Sequence, residues 1–199
     1  PFYAAHMQMS PVCADHAALK KQASQYDLLL CGSDQIWSPT WLNPAYFLDF
    51  AAKGQRKAAY APSLGVKELP SPRKQAMMRS LLTGFERISV REAEGGRLLE
   101  KLLPGTQIPV MPDPVCLLRR EKWLEMAEHP HRKHPYLLCY FLGESPAYWE
   151  RVTRLQEKTG LRVKVIPLTA EAYRQPYDLC AGLSPEQFLG YLDEAAVVC

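Results

Sequence analysis

Short apolar runs alternate with segments of helical periodicity along almost the whole chain. The strand candidates are 27–31 (DLLLC), 58–62 (AAYAP), 87–90 (RISV), 108–111 (IPVM), 136–142 (YLLCYFL), 162–167 (RVKVIP) and 195–199 (AAVVC). Several are continuously apolar rather than alternating, the pattern of strands covered on both faces. Between them, three helix starts share a serine followed by a proline: Ser71-Pro72, Ser145-Pro146 and Ser184-Pro185. Serine can accept from the free N–H groups of a first helical turn, and proline fits the first helical position because its missing N–H is not needed there. Gln187 stands three residues after Ser184 and completes a capping box. Met78, Leu81, Leu82 and Phe85 follow the first start on one helical face, and Trp149, Val152 and Leu155 follow the second, with Gly160 as a left-handed stop. Both stripes read as core.

Strand and helix in alternation imply a parallel sheet wrapped by helices, an α/β design. The rhythm breaks at "PDPVCLLRREKWLEMAEHPHRKHP", where prolines, charge and a short helix-like piece intervene, and it restarts at Tyr136. Two Rossmann-like lobes fit this better than one sheet: a first at 1–117, a linker at 118–135 and the start of a second at 136–199. Neither internal repeats nor low-complexity tracts are present.

Composition adds mainly exclusions. The net charge of +3, from 24 Lys and Arg against 21 Asp and Glu, is too mild for a nucleic-acid surface. The six cysteines include Cys31, Cys139 and Cys199 inside apolar runs, where a free thiol packs as a small hydrophobe, and there is no C-x-x-C pair. A reducing cytosol suits them better than a disulfide framework. The apolar run at 136–142 is far short of the roughly 20 residues that span a bilayer. Because the chain starts at Pro1 without a methionine and stops at Cys199 inside an apolar run, the expectation is an internal piece of a longer protein, with both lobes incomplete.

Candidate chemistry gathers where apolar runs end. In a doubly wound sheet, ligands bind beyond the carboxyl ends of the strands. After the 27–31 run come Gly32, Ser33, Asp34 and Gln35: a glycine that lets a ligand or a neighbouring loop approach, then three side chains able to hydrogen-bond hydroxyls. Capping of a short turn through "QIWSP" by Ser33 or Asp34 explains the same residues, and local chemistry does not separate the two readings. Trp37, Trp41 and Tyr46 read as packing for the long connection. Ser63 and Gly65 repeat the arrangement after the next strand. In "ISVREAEGGRLLEKLL", Arg91 and Glu92 stand between a short strand and a helical segment. A guanidinium there could clamp a phosphate or carboxylate; a structural Arg–Glu pair is the competing reading. "HPHRKHP" holds three histidines, but prolines and basic residues around them favour a solvated linker over a metal site. No metal is expected. P-loop, nucleophile-elbow and G-x-G-x-x-G motifs are absent from the sequence.

Together, "YDLLLCGSDQIWSP", "YFLDFAAKGQRKAAYAPSLG", "ISVREAEGGRLL" and "VMPDPVCLL" resemble, in order and spacing, the polysaccharide pyruvyl transferase family, and "LSPEQFLGYLDEAAVV" is similar to the helix and strand preceding its C-terminal signature. The resemblance covers roughly residues 26–199. It implies a glycosyltransferase-B-like architecture of two facing Rossmann-like lobes and transfer of a pyruvyl (enolpyruvyl) group from phosphoenolpyruvate to hydroxyls of a sugar in cell-surface polysaccharide biosynthesis. It further implies no cofactor beyond that donor substrate, a sugar or lipid-linked glycan as acceptor, and a cytoplasmic location, peripheral to the inner face of the membrane. By the same resemblance Arg91 serves the donor anion and Asp34 orients or deprotonates the acceptor. Gly32, Ser33, Gln35, Ser63 and Glu92 line the substrate site. The family's Ser-Phe-His-Gly-type segment, which resembles a donor-binding and acid/base site with the expected catalytic histidine, would begin beyond Cys199, so the piece is expected to be inactive by itself. A nucleotide-sugar-dependent glycosyltransferase and a non-catalytic glycan-binding member of the same fold are the alternatives.

Overall fold

A computed structural model of the chain describes residues 2–130 and 134–199. The chain forms two compact units, Met9–Leu118 and Arg119–Cys199, and the N-terminal residues through Gln8, which carry helix α1 (Phe2–His6), group with the second.

The first unit runs α2 (His16–Ala23), β1 (Leu28–Cys31), β2 (Arg56–Ala59), α3 (Pro72–Leu82), β3 (Arg87–Ile88) and α4 (Ala93–Leu102). Its strands form one parallel sheet in the order β1-β2-β3, with Leu30 beside Ala58 and Ala59 beside Ile88. The run at 108–111 contributes only a parallel bridge from Val110 to Val90. Every step across the sheet goes in one direction. Right-handed crossovers then deliver their connections to a single face, where Met78 and Leu82 of α3 and Leu98, Leu99 and Leu102 of α4 bury against Ala59, Trp37 and Phe47. Trp37 is fully buried, stacked on Phe47 at 5.1 Å, with its Nε1 donating to the Tyr46 carbonyl at 3.0 Å. Trp41 and Tyr46, expected to pack, are instead exposed, because each lies on a short 3-10 turn (Pro39–Trp41 and Pro44–Phe47) that runs over the surface.

The other sheet face is open. Leu28 and Leu30 are 42% and 64% exposed, so the expectation that this run is covered on both faces fails. The one-way strand order supplies the reason.

The second unit contains α5 (Arg120–Leu124), β4 (Tyr136–Cys139), α6 (Pro146–Thr159), β5 (Arg162–Val165), α7 (Ala170–Tyr173), β6 (Asp178–Leu179), α8 (Pro185–Glu194) and β7 (Val197–Val198). The four strands are all parallel, in the order β6-β5-β4-β7. Here the chain steps outward through β5 to β6, then returns to the far side of β4. That reversal sends α8 to the opposite face from α6. Leu137, Cys139, Val163 and Val165 therefore pack on Trp149 and Val152 of α6, while Tyr136 and Leu138 pack on the α8 side with Tyr191. Residues 119–130, read from sequence as part of a linker, group with this unit: the Glu128 N–H donates to the Glu186 carbonyl at 2.9 Å. Gly190 makes that approach possible, since a Cβ there would lie 2.1 Å from the Glu128 carbonyl oxygen.

Proline occupies the first turn at all three Ser-Pro helix starts, but only Ser184 forms the capping box; Ser71 and Ser145 make no side-chain cap bond. Burial pushes the Cys31 and Cys139 thiols up to about 12, leaving them neutral. No helix among the described residues is long and apolar enough to cross a membrane.

Candidate functional site

The parallel register of β1, β2 and β3 brings three loops to one end of the first unit's sheet, and backbone hydrogen bonds stitch them together. Tyr60 N–H donates to the Cys31 carbonyl at 2.9 Å, Ser63 N–H to the Asp34 carbonyl at 2.9 Å, and Arg91 N–H to the Pro62 carbonyl at 3.3 Å. Gly32, at φ +138°, is required by this closeness: a Cβ would fall 1.8 Å from the Tyr60 carbonyl oxygen. Its close neighbour is thus a protein loop. Ser89 fixes the β2 end by donating through Oγ to the Ala59 carbonyl at 3.2 Å while accepting from the Ala61 N–H at 2.9 Å. Ala61 is fully buried at φ +52°, a left-handed conformation that a non-glycine residue holds only when its surroundings impose it.

Arg91 joins the loops at side-chain level. Its Nη1 donates to the Ser33 carbonyl at 2.7 Å and to Asp113 Oδ2 at 3.1 Å, and its Nε donates to Glu92 Oε1 at 3.0 Å. Nη2 has no partner among the described residues. Asp113 Oδ2 also accepts from Ser33 Oγ at 2.9 Å, and Oδ1 accepts from the Val115 N–H at 3.1 Å. The Val115 N–H, then the Ser33 hydroxyl and the Arg91 guanidinium, hold the Asp113 carboxyl below its usual range, so it stays ionised at neutral pH. Arg91 is pushed above its ordinary value, chiefly by its bond to Glu92. With two carboxylates on one guanidinium the trio carries about one net negative charge at pH 7. Any anion held there therefore needs cationic or N–H partners in addition to Arg91.

Asp34 sits one residue from the carbonyl that Arg91 grips. Its Oδ1 accepts from the Gln35 N–H at 2.7 Å, the turn-capping contact anticipated as the competing reading, while the residue remains exposed. Ser63 is buried, and its Oγ accepts from the Gly65 N–H at 3.1 Å. Gln35, Ser63, Gly65, Lys67 and Glu92 line one cleft of about 240 Å³, where the Gln35 amide lies so close over Gly65 that a Cβ would come within 2.9 Å of it. The structure thus brings Ser33, Arg91 and Glu92 into one bonded cluster, and Gln35, Ser63 and Glu92 into one cleft. The Asp34 carboxylate and the Arg91 guanidinium share the same end of the sheet without bonding each other.

Sequence reading did not single out Asp113. Its only local signal was an aspartate before proline, which announces a turn; the contacts that matter come from 22 and 80 residues away. Of "HPHRKHP", residues 131–133 lie outside the described residues, and His129 Nδ1 lies 3.6 Å from Glu194 Oε1. Among the described residues no group of His, Cys, Asp and Glu could hold a metal ion. The second unit has its own cleft of about 380 Å³ at the carboxyl ends of β4, β5 and β6, walled by Tyr140, Ile166, Leu168, Cys180 and Phe188 with no charged side chain.

No curated protein and no solved structure matches the chain. The sequence profile of polysaccharide pyruvyl transferases, however, matches residues 5–199, which takes in every loop of the cluster and both units. On that match the chain belongs to the polysaccharide pyruvyl transferase family.

Proposed function

We propose that the protein transfers a pyruvyl group from phosphoenolpyruvate to hydroxyls of a sugar in the building of a cell-surface polysaccharide. The observation that carries this reading is a guanidinium held by the Ser33 carbonyl, Glu92 and Asp113 with Nη2 unpartnered among the described residues, beside an exposed carboxylate on the adjoining loop. Such a transfer begins with protonation of the enol carbon, which leaves a cationic centre at the carbon bearing the phosphate oxygen. A sugar hydroxyl adds there as a base takes its proton, phosphate departs, and a second hydroxyl closes the ketal. The donor's phosphate and carboxylate need cations and N–H groups, the cationic centre needs nearby negative charge, and the hydroxyl needs a base.

In this reading Arg91 offers Nη2 to the donor anion, and Lys67 in the adjoining cleft supplies charge that the Arg91 cluster lacks. Asp34 takes the acceptor proton. Gln35 and Glu92 hydrogen-bond the sugar, as planar amide and carboxylate groups can. Gly32, Ser33 and Ser63 shape the loops that hold these groups. The donor and a lipid-linked acceptor place the reaction at the cytoplasmic face of the membrane.

Thermal stabilisation separates this reading from a nucleotide-sugar transferase on the same fold. Phosphoenolpyruvate at about 100 times its dissociation constant should stabilise the full-length protein by about 2.7 kcal/mol, and Arg91→Ala should abolish the shift. Stabilisation by a uridine or guanosine diphosphate sugar, with none by phosphoenolpyruvate, overturns the proposal.

A further inference from the structure

We infer that Asp113 is a positioning residue for the donor, acting through Arg91. The inference rests on the functional reading above and goes beyond it by assigning a residue outside the three strand-end loops. Three features of the contact set carry it.

First, Asp113 is the only residue described whose carboxylate touches both the β1 loop and the β3 loop: Oδ2 receives Ser33 Oγ at 2.9 Å and Arg91 Nη1 at 3.1 Å. Second, it is itself anchored. Oδ1 accepts from the Val115 N–H at 3.1 Å at the start of the 3-10 turn Pro114–Leu117, so the carboxylate has little freedom to follow a moving guanidinium. Third, its contacts divide the guanidinium. Nη1 is occupied by Asp113 and the Ser33 carbonyl and Nε by Glu92, which leaves the two N–H groups of Nη2 as those an anion can use. A flexible arginine would present any of its five N–H groups and would lose rotamer entropy on binding; one pinned at two nitrogens presents a fixed pair.

Asp113 also opposes the anion by its charge, so the two effects differ in sign. A residue that served electrostatics alone would bind phosphoenolpyruvate better once neutralised. A positioning residue would bind it worse, because the guanidinium is then free to rotate. Asp113→Asn separates them: it keeps the shape and can still accept from Val115, but it removes the ionic contact to Arg91.

The test is calorimetric titration of phosphoenolpyruvate into the full-length protein, with melting temperature measured alongside. Asp113→Asn should weaken binding about tenfold, the order expected when one charge-assisted hydrogen bond is lost, and Asp113→Glu should recover part of that loss. In an Arg91→Lys background, which no longer has the planar fork, Asp113→Asn should add less than about twofold, since the two act as one unit. Unchanged or tighter binding by Asp113→Asn overturns the inference. So does a full tenfold loss on top of Arg91→Lys, or a fall in melting temperature with the folded protein's affinity intact. Wild-type protein that binds no phosphoenolpyruvate instead overturns the functional reading, and this inference with it.

Discussion

Leu28–Cys31 and Tyr136–Cys139 read LLLC and YLLC, both parallel strands of four residues opening their respective sheets. Their fates differ. Every residue of the second strand is buried, whereas in the first only Leu29 is buried and Leu28 and Leu30 face out. Composition cannot account for this. Strand order can: the first unit's sheet is crossed in one direction, so right-handed connections accumulate on one face, while the second unit's chain doubles back past β4 and sends α8 to the other face. An apolar run thus shows that a strand will form and be at least half covered; whether the second face is covered depends on where the chain goes next. The functional consequence lies at the strand ends. The sheet with one-way order lines up three successive loops at adjacent positions, which is how Ser33 and Arg91 come to share a bonded cluster with Ser63 in the cleft beside it.

The sharpest way to break this comparison is to truncate equivalent leucines. Leu138→Ala, in the strand covered on both faces, should cost about 2–5 kcal/mol by urea unfolding. Leu30→Ala, at the matching third position of β1, should cost less than about 0.5 kcal/mol. Equal losses would mean that the open face of β1 is covered in solution.

A smaller effect is expected from Gly190→Ala, which forces a Cβ against the Glu128 carbonyl oxygen and lifts α8 from the second face. Overpacking of this kind costs about 1–3 kcal/mol, and the Tyr136 and Leu138 side should gain hydrogen exchange ahead of the α6 side. Simultaneous loss on both faces would show that the two helical layers are not separable.

The smallest difference concerns the caps. Ser184→Ala removes the hydroxyl half of a formed capping box, leaving the Gln187 N–H without its acceptor, and should cost about 1 kcal/mol. Ser145→Ala, at a helix start of the same Ser-Pro form but without the side-chain bond, should cost only a few tenths. A full cap penalty at Ser145 would mean that its hydroxyl closes on the helix in solution.

Much of the architecture was legible in the chain because its signals are local. The Ser-Pro starts, the Met78–Leu82 and Trp149–Leu155 stripes and the left-handed stop at Gly160 each depend on neighbours within a turn or two, and each forms as the spacing requires; α3 ends at Leu82, so Phe85 packs on the core from beyond the helix. β6 was missed because Asp178 and Leu179 make a strand only by pairing with Lys164 and Val165, with no apolar run of their own. The serine caps were overestimated at Ser71 and Ser145, since a hydroxyl that can accept does so only if its rotamer and surroundings allow it. In the candidate site, strand-end position drew attention to Gly32–Gln35, Ser63 and Arg91–Glu92, while Asp113 passed as a turn residue.

By itself, then, the sequence determined most of the segments that become strands, where the three Ser-Pro helices start, and which loops follow the strands, because backbone preference and amphipathic spacing act over a few residues. Only the tertiary structure decided that β1 keeps an open face, that Gly32 is pressed by Tyr60, and that Asp113 reaches Ser33 and Arg91. Those outcomes depend on the order in which strands are laid down and on contacts between groups tens of residues apart, and no local pattern encodes either.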